Sequence, residues 1–133
     1  VLARIEAGFQ FSGVDYLHAL QLRPKIVEQF VKNAFANCDM ILAPTFNIKT
    51  PRIDETDIED GQGFEELISK VSHCTRPFNY LTFPSIRLPT PELVNEMPAG
   101  IQLIAPPFCE KMLYCVSGAY EKHTAFSERT PKL

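Results

Sequence analysis

His73-Cys-Thr-Arg-Pro-Phe-Asn-Tyr-Leu-Thr-Phe-Pro-Ser-Ile-Arg-Leu-Pro89, followed after a polar loop by Met97-Pro-Ala-Gly-Ile-Gln-Leu-Ile-Ala-Pro-Pro107, is the stretch from which the fold is read. Ser85-Ile-Arg-Leu-Pro89 alternates polar and apolar residues, and so does Gly100-Ile-Gln-Leu-Ile. That period of two predicts a pair of strands, joined by the loop from Thr90 to Pro98. The prolines at 106 and 107 bar the second strand from continuing.

Working upstream, Phe64, Leu67, Ile68 and Val71 fall at helical spacing and predict a short helix, which Pro77 and Asn79 interrupt. From Phe46 to Gly63 the chain is polar and acidic, with Asp54, Glu55, Asp57, Glu59 and Asp60 against Lys49 and Arg52. This reads as a surface excursion. Asp39-Met-Ile-Leu-Ala-Pro-Thr45 is a short apolar run ended by proline, which predicts a strand covered on both faces. Deprived of its neighbours, such a strand exposes an apolar edge and favours aggregation.

Further upstream, Ser12-Gly-Val-Asp15 places a carboxylate three residues after a hydroxyl, a capping pattern that opens a helix. Leu17, Leu20, Val27, Val31, Ala34 and Phe35 continue one apolar face. Pro24 removes the N–H that the Leu20 carbonyl would accept, so the expectation is one helix, kinked at Pro24 and ending near Asn37. Residues 1–11 begin inside an amphipathic pattern (Leu2, Ile5, Phe9) with no initiator Met or cap, as a cut chain would. Downstream, Met112, Leu113, Val116 and Tyr120 share a helix face, with Glu110 and Lys122 placed as the helix dipole prefers. The predicted order is helix, strand, helix, strand, strand, helix.

A chain of 133 residues suits one domain, and 45% hydrophobic with 22% charged residues is a globular composition. A net charge of -3 with scattered Lys and Arg gives no drive toward nucleic acid. Apolar runs are too short to span a membrane, and the first residues lack the parts of a secretion signal, so a cytoplasmic protein is expected. Cys38, Cys74, Cys109 and Cys115 form no Cys-x-x-Cys pair and read as reduced thiols.

The chemistry-bearing residues are dispersed. His18, His73 and His123 are isolated, and Asp54, Asp57 and Asp60 lack calcium-loop spacing, so neither a metal nor another cofactor is expected. Gly61-Gln-Gly63 lies among acids, which disfavours phosphate. His73 beside Cys74 suggests a thiol and base, but sequence neighbours seldom orient toward each other, and a structural thiol is the better reading. The serines at 12, 69, 72, 85, 117 and 127 sit in no nucleophile elbow or Ser-x-x-Lys motif; Ser12 reads as a cap and Ser85 as a strand start.

Taken together, Asp15-Tyr-Leu-His-Ala-Leu-Gln-Leu-Arg23, Asp39-Met-Ile-Leu-Ala-Pro-Thr45, Thr75-Arg-Pro-Phe-Asn79, Phe83-Pro84 with Leu88-Pro89, Met97-Pro-Ala-Gly-Ile-Gln-Leu-Ile and Tyr120-Glu121 resemble, in order, the C-terminal part of the amidase signature family. These are Ser-Ser-Lys amide hydrolases, which include fatty-acid amide hydrolase and the amidase subunit of tRNA-dependent amidotransferases. The resemblance implies an α/β fold: the C-terminal part of an α/β/α sandwich with a mixed central sheet, residues 1–133 forming part of a single amidase domain. The family's catalytic Lys and its Gly-Gly-Ser-Ser-Gly-Gly stretch have no match here, so no catalytic residue is carried over.

What the resemblance does imply is one wall of a substrate pocket, with Thr75, Phe78 and Asn79 as candidate substrate-binding residues. Their structural alternatives are a helix cap for Thr75, core for Phe78 and a backbone contact for Asn79. The implied partners are a small-molecule amide substrate and the N-terminal portion of the amidase; homo-oligomerisation is left open. The alternative functions are a non-catalytic binding or complementation module, or one component of a tRNA-dependent amidotransferase. The latter is disfavoured because Ile68-Ser-Lys-Val-Ser72 lacks that subfamily's Met-Tyr-x-x-Asp. Thr82 stands where the family commonly has Gly, and Thr90-Pro91-Glu92 replaces another, which predicts altered turns.

Overall fold

The computed structural model describes residues 5–56, 63–94 and 97–124. Leu2, Asp57, Glu59, Asp60, Gly61 and Ser127, which figure in the sequence patterns above, lie outside them. After a 3-10 turn at Ala7–Gln10 come helix α1 (Gly13–Ala34), strand β1 (Ile41–Pro44), a single helical turn α2 (Ile53–Thr56), and helices α3 (Phe64–Ser72) and α4 (Arg76–Leu81). Strands β2 (Ser85–Val94) and β3 (Met97–Ile104) and helix α5 (Glu110–Thr124) complete the order.

Helix α1 starts where the capping pattern places it. Ser12 Oγ accepts the Asp15 N–H at 3.2 Å, and Asp15 Oδ2 accepts the Ser12 N–H at 2.9 Å. Pro24 lies inside a continuous helix. The bond it forfeits involves the carbonyl of Leu20, in a half of the helix whose apolar side chains face solvent. The helix ends at Ala34 instead of near Asn37, because Phe35 leaves helical geometry (φ -101°, ψ 15°). Its ring then packs edge-on against Phe30 and Phe83, with centroids 6.2 and 6.0 Å away.

The sheet has the order β1-β3-β2, and both pairings are antiparallel. Ile41 faces Ile104 across one pairing, and Ser85 faces Ile104 across the other. The segment expected to be a loop from Thr90 to Pro98 is mostly strand: pairing runs on to Leu93↔Pro98 and Val94↔Met97 after a register irregularity between Pro89 and Leu93. Pro89 and Pro91 offer no N–H, so they interrupt the ladder without ending the hairpin.

Core residues lie on both faces of the sheet. On one, Leu88, Leu103 and Ala105 pack with Leu113 of α5, and Tyr120 of the same helix donates its hydroxyl to the Pro89 carbonyl at 3.0 Å. On the other, Leu81, Phe83 and the fully buried Ile104 are covered by Val27, Phe30 and Val31 of α1. Tyr80 ties α4 to α1 through a 2.7 Å bond to the Ala19 carbonyl.

Strand β1 is not covered on both faces as its apolar run predicts. Ile41 and Ala43 pack against α1, but Leu42 is 63% exposed. The strand stands at the sheet edge and α5 packs on β2, which leaves the outer face of β1 bare among the described residues. Pro77 sits in the first turn of α4, so the interruption foreseen after α3 is the start of a new helix. Thr82 closes α4 at φ 57°, a left-handed conformation that glycine adopts without strain. The turn therefore keeps the geometry that a glycine would give it, and does not depart from it.

Candidate substrate-binding wall

Pro44 ends β1 and turns the chain away from the sheet, so the following residues pass beside the start of β3. Between them lies a cleft of about 570 Å³ bordered by Phe46, Ile48, Met97 and Ile101, with Asn47 and Lys49 among its polar residues. In the sequence, Phe46 and Ile48 are hidden within the polar excursion. The signal that finds them is their spacing of two directly after a strand-ending proline.

Gln102 is the buried polar residue that organises this end of the sheet. Its Nε2 donates to the Cys74 carbonyl at 2.8 Å and to the Pro44 carbonyl at 3.1 Å. One side chain thus joins β3, the end of β1 and the turn before α4. Thr45 is held next to it by its N–H, which donates to the Gly100 carbonyl at 2.9 Å. The Thr45 hydroxyl, by contrast, is buried with no partner, an arrangement that costs about 1–3 kcal/mol when nothing relieves it.

The predicted pocket residues are neighbours on α4 but do not border this cleft. Thr75 is half-buried and caps α4 in position only: its hydroxyl donates to the Ser72 carbonyl at 3.3 Å, and no side-chain cap bond forms. Phe78 is half-buried among aromatic rings, with Phe30 at 6.1 Å and Phe83 at 6.5 Å. Asn79 is exposed, and its N–H donates to the Thr75 carbonyl at 3.1 Å. Thr75 follows Cys74, whose carbonyl Gln102 holds.

No nucleophile and base are paired in the manner of an activated site among the described residues. His73 is exposed beside a half-buried Cys74 thiol. Ser12 Oγ does donate to Asp15 Oδ2 at 2.6 Å, but that contact belongs to an exposed helix cap. The Ser12 hydroxyl and backbone hold the Asp15 carboxyl below its ordinary pKa, and Lys32 and Lys70 do the same for Glu28 and Glu66. These carboxylates lie on helices and do not border the cleft. The described residues hold no cluster of His, Cys, Asp and Glu suited to a metal, and no helix long and apolar enough to cross a membrane. Among the described residues the arrangement offers apolar contact and no paired reacting groups.

The family model described as Amidase matches residues 2–114. Among curated proteins, fatty acid amide hydrolase of Medicago truncatula is 29% identical over 121 residues, covering 91% of this chain and 20% of that protein. One subunit of the glutamyl-tRNA(Gln) amidotransferase of Streptococcus mutans is 32% identical over 111 residues, covering 84% of this chain and 21% of that one. A Mycobacterium tuberculosis protein assigned as an amidase, AmiD, is 30% identical over 129 residues, 97% of this chain and 26% of its own length. The chain spans about a fifth to a quarter of the length of these relatives.

Proposed function

The chain belongs to the amidase family, and on that premise we propose that it is the C-terminal part of an amidase domain that hydrolyses carboxylic amide bonds. The observation that carries the reading is the family match across residues 2–114 combined with the short share of each relative that it spans. The nucleophile, its base and the oxyanion donors belong, on this reading, to the remainder of the polypeptide, and this chain contributes one wall of the substrate pocket. An amidase transition state is stabilised by an activated nucleophile and preorganised donors. Neither is assembled by the residues described above.

In this proposal Thr75, Phe78 and Asn79 approach a small-molecule amide, and the cleft beside Phe46 and Ile48 receives an apolar substituent. Fatty acid amide hydrolase among the relatives supports an apolar amide as the substrate class. The edge position of β1 supports further strands beside it, and its bare outer face a covering helix layer, hence a mixed sheet within an α/β/α sandwich completed by the N-terminal portion. The working compartment is taken as the cytoplasm. A component of a tRNA-dependent amidotransferase is the second reading, supported by the Streptococcus mutans relative.

The experiment compares simple amides, such as oleamide and benzamide, with glutamine as substrates for the 133-residue chain and for the uninterrupted polypeptide that contains it. The expected result is turnover of an amide by the longer protein and none by the shorter. Enzyme-like turnover by the 133-residue chain alone overturns the assignment of the reacting groups to the remainder. Glutamine hydrolysis in preference to the other amides selects the amidotransferase reading.

A further inference from the structure

Phe46 and Ile48, which border the cleft, lie on a stretch with little hold of its own. From Phe46 to Thr50 no residue makes a hydrogen bond among the described residues. The stretch takes its place from the anchor just before it. There the Thr45 N–H donates to the Gly100 carbonyl at 2.9 Å, and the Pro44 carbonyl accepts Gln102 Nε2 at 3.1 Å. Pro44 has no N–H to add to the ladder, so the side chain of Gln102 supplies a bond where the backbone has none to give.

Gln102 is 5% exposed and does not itself border the cleft, whereas its partner Pro44 does. Its Nε2 carries two hydrogens, and the second donation goes to the Cys74 carbonyl at 2.8 Å. Among uncharged side chains only glutamine and the shorter asparagine offer two hydrogens on one atom. We propose that Gln102 is a positioning residue for substrate selection. By fixing Pro44 against the turn before α4, it sets where Phe46 and Ile48 stand along the cleft, and so which apolar amide substituents the cleft admits. This rests on the reading of the cleft as the seat of that substituent. A displaced wall loses contacts with a long apolar chain, and an amide too short to enter the cleft has none to lose. A merely structural residue acts differently, since it changes the amount of folded protein and with it the turnover of every amide by one factor.

Octanamide, with acetamide as the chainless control, is titrated into the 133-residue chain labelled for nuclear magnetic resonance at its Ile and Met methyl groups and side-chain amides. In the parent chain the Ile48 and Met97 methyl resonances are expected to shift saturably with octanamide and not with acetamide. The Gln102 side-chain amide resonances should move in step, although Gln102 does not border the cleft. Gln102→Met keeps the length, removes both donations and should weaken octanamide binding about tenfold. Leu113→Ala, a core substitution on α5 away from the cleft lining, should leave that binding within about twofold. In the longer polypeptide, Gln102→Met should lower the octanamide-to-acetamide ratio of kcat/KM by about tenfold, through KM. An equal fall in kcat for both amides at constant KM overturns the proposal. So does equal octanamide binding by parent and Gln102→Met, or the absence of a saturable shift in the parent. Where Gln102→Met does not fold, the parent decides: Gln102 amide resonances that move with Ile48 sustain the proposal, and resonances that stay still while Ile48 saturates overturn it. Hydrolysis of neither amide by the longer polypeptide overturns the amidase reading alone, because the binding measurements judge Gln102 without turnover.

Discussion

The two halves of α1 carry one apolar stripe to different ends. Toward the C-terminus, Val27, Phe30 and Val31 close over Ile104 and Phe83. Toward the N-terminus, Tyr16 and Leu17 are more than half exposed, and Leu20 is also in contact with solvent. The spacing is the same in both halves, and only the presence of a sheet beneath separates them. An amphipathic pattern therefore states which residues need a partner, and the partner itself is a property of the whole polypeptide.

The sharpest test of this contrast strikes the covered half. Ile104 is fully buried between both neighbouring strands and α1. Ile104→Ala should lower stability by about 2–5 kcal/mol, through lost transfer energy and the cavity left behind. Urea unfolding followed by far-ultraviolet circular dichroism checks it. A loss below about 1 kcal/mol would mean that the cluster beneath α1 is loosely packed, and the contrast with the bare half would disappear.

The next effect is at the junction between the covered region and the cleft. Gln102→Leu keeps the volume and removes both donations to Pro44 and Cys74. The expected cost is about 1–3 kcal/mol, since two carbonyls lose their donor at once. Loss of protection in hydrogen exchange should concentrate at Thr45 and around α4. A uniform loss across the sheet would instead assign Gln102 a general packing role.

In the bare half, the cap supports the start of the helix, and it is sensitive to acid. The Ser12 hydroxyl and backbone depress the Asp15 carboxyl, so the charged form is favoured when the helix is folded. The linked stabilisation is fully present above the ordinary aspartate value of about 4. It is lost as pH falls through the depressed folded value. Amide exchange in the first turn of α1 should accelerate over that range in the parent chain, and the same acceleration should be absent in Asp15→Asn. The covered half has its own acid-sensitive pair, Glu28 with Lys32, but its packing against the sheet should keep its amides protected over the same range.

Legibility in the sequence follows the same division. The capping box at Ser12, the strands at Ile41 and Ser85, and the helix through Leu113 are all readable, because each depends on residues a few positions apart. The hairpin beyond Pro89 is not, because three prolines between 89 and 98 imitate a loop while the strands continue to pair around an irregularity. The left-handed Thr82 is legible as a missing glycine and not as a retained geometry, since α4 and the strand after it over-determine the turn. For the site, Thr75, Phe78 and Asn79 come from resemblance. Gln102 as a junction requires the register, which places residues from distant parts of the chain side by side.

The smallest expected effect is the most informative about the bare half. Leu17→Ser replaces an exposed leucine that touches no described core cluster. In the 133-residue chain the unfolding free energy should change by less than about 0.5 kcal/mol, as for surface substitutions generally. Solubility should rise, because an apolar patch is reduced. In the longer polypeptide the same substitution should cost about 2–5 kcal/mol if the stripe is buried there, the ordinary toll for removing a packed leucine side chain. Equal and small effects in both chains would show that the N-terminal half of α1 stays in solvent, and the difference between its two halves would then belong to the helix itself.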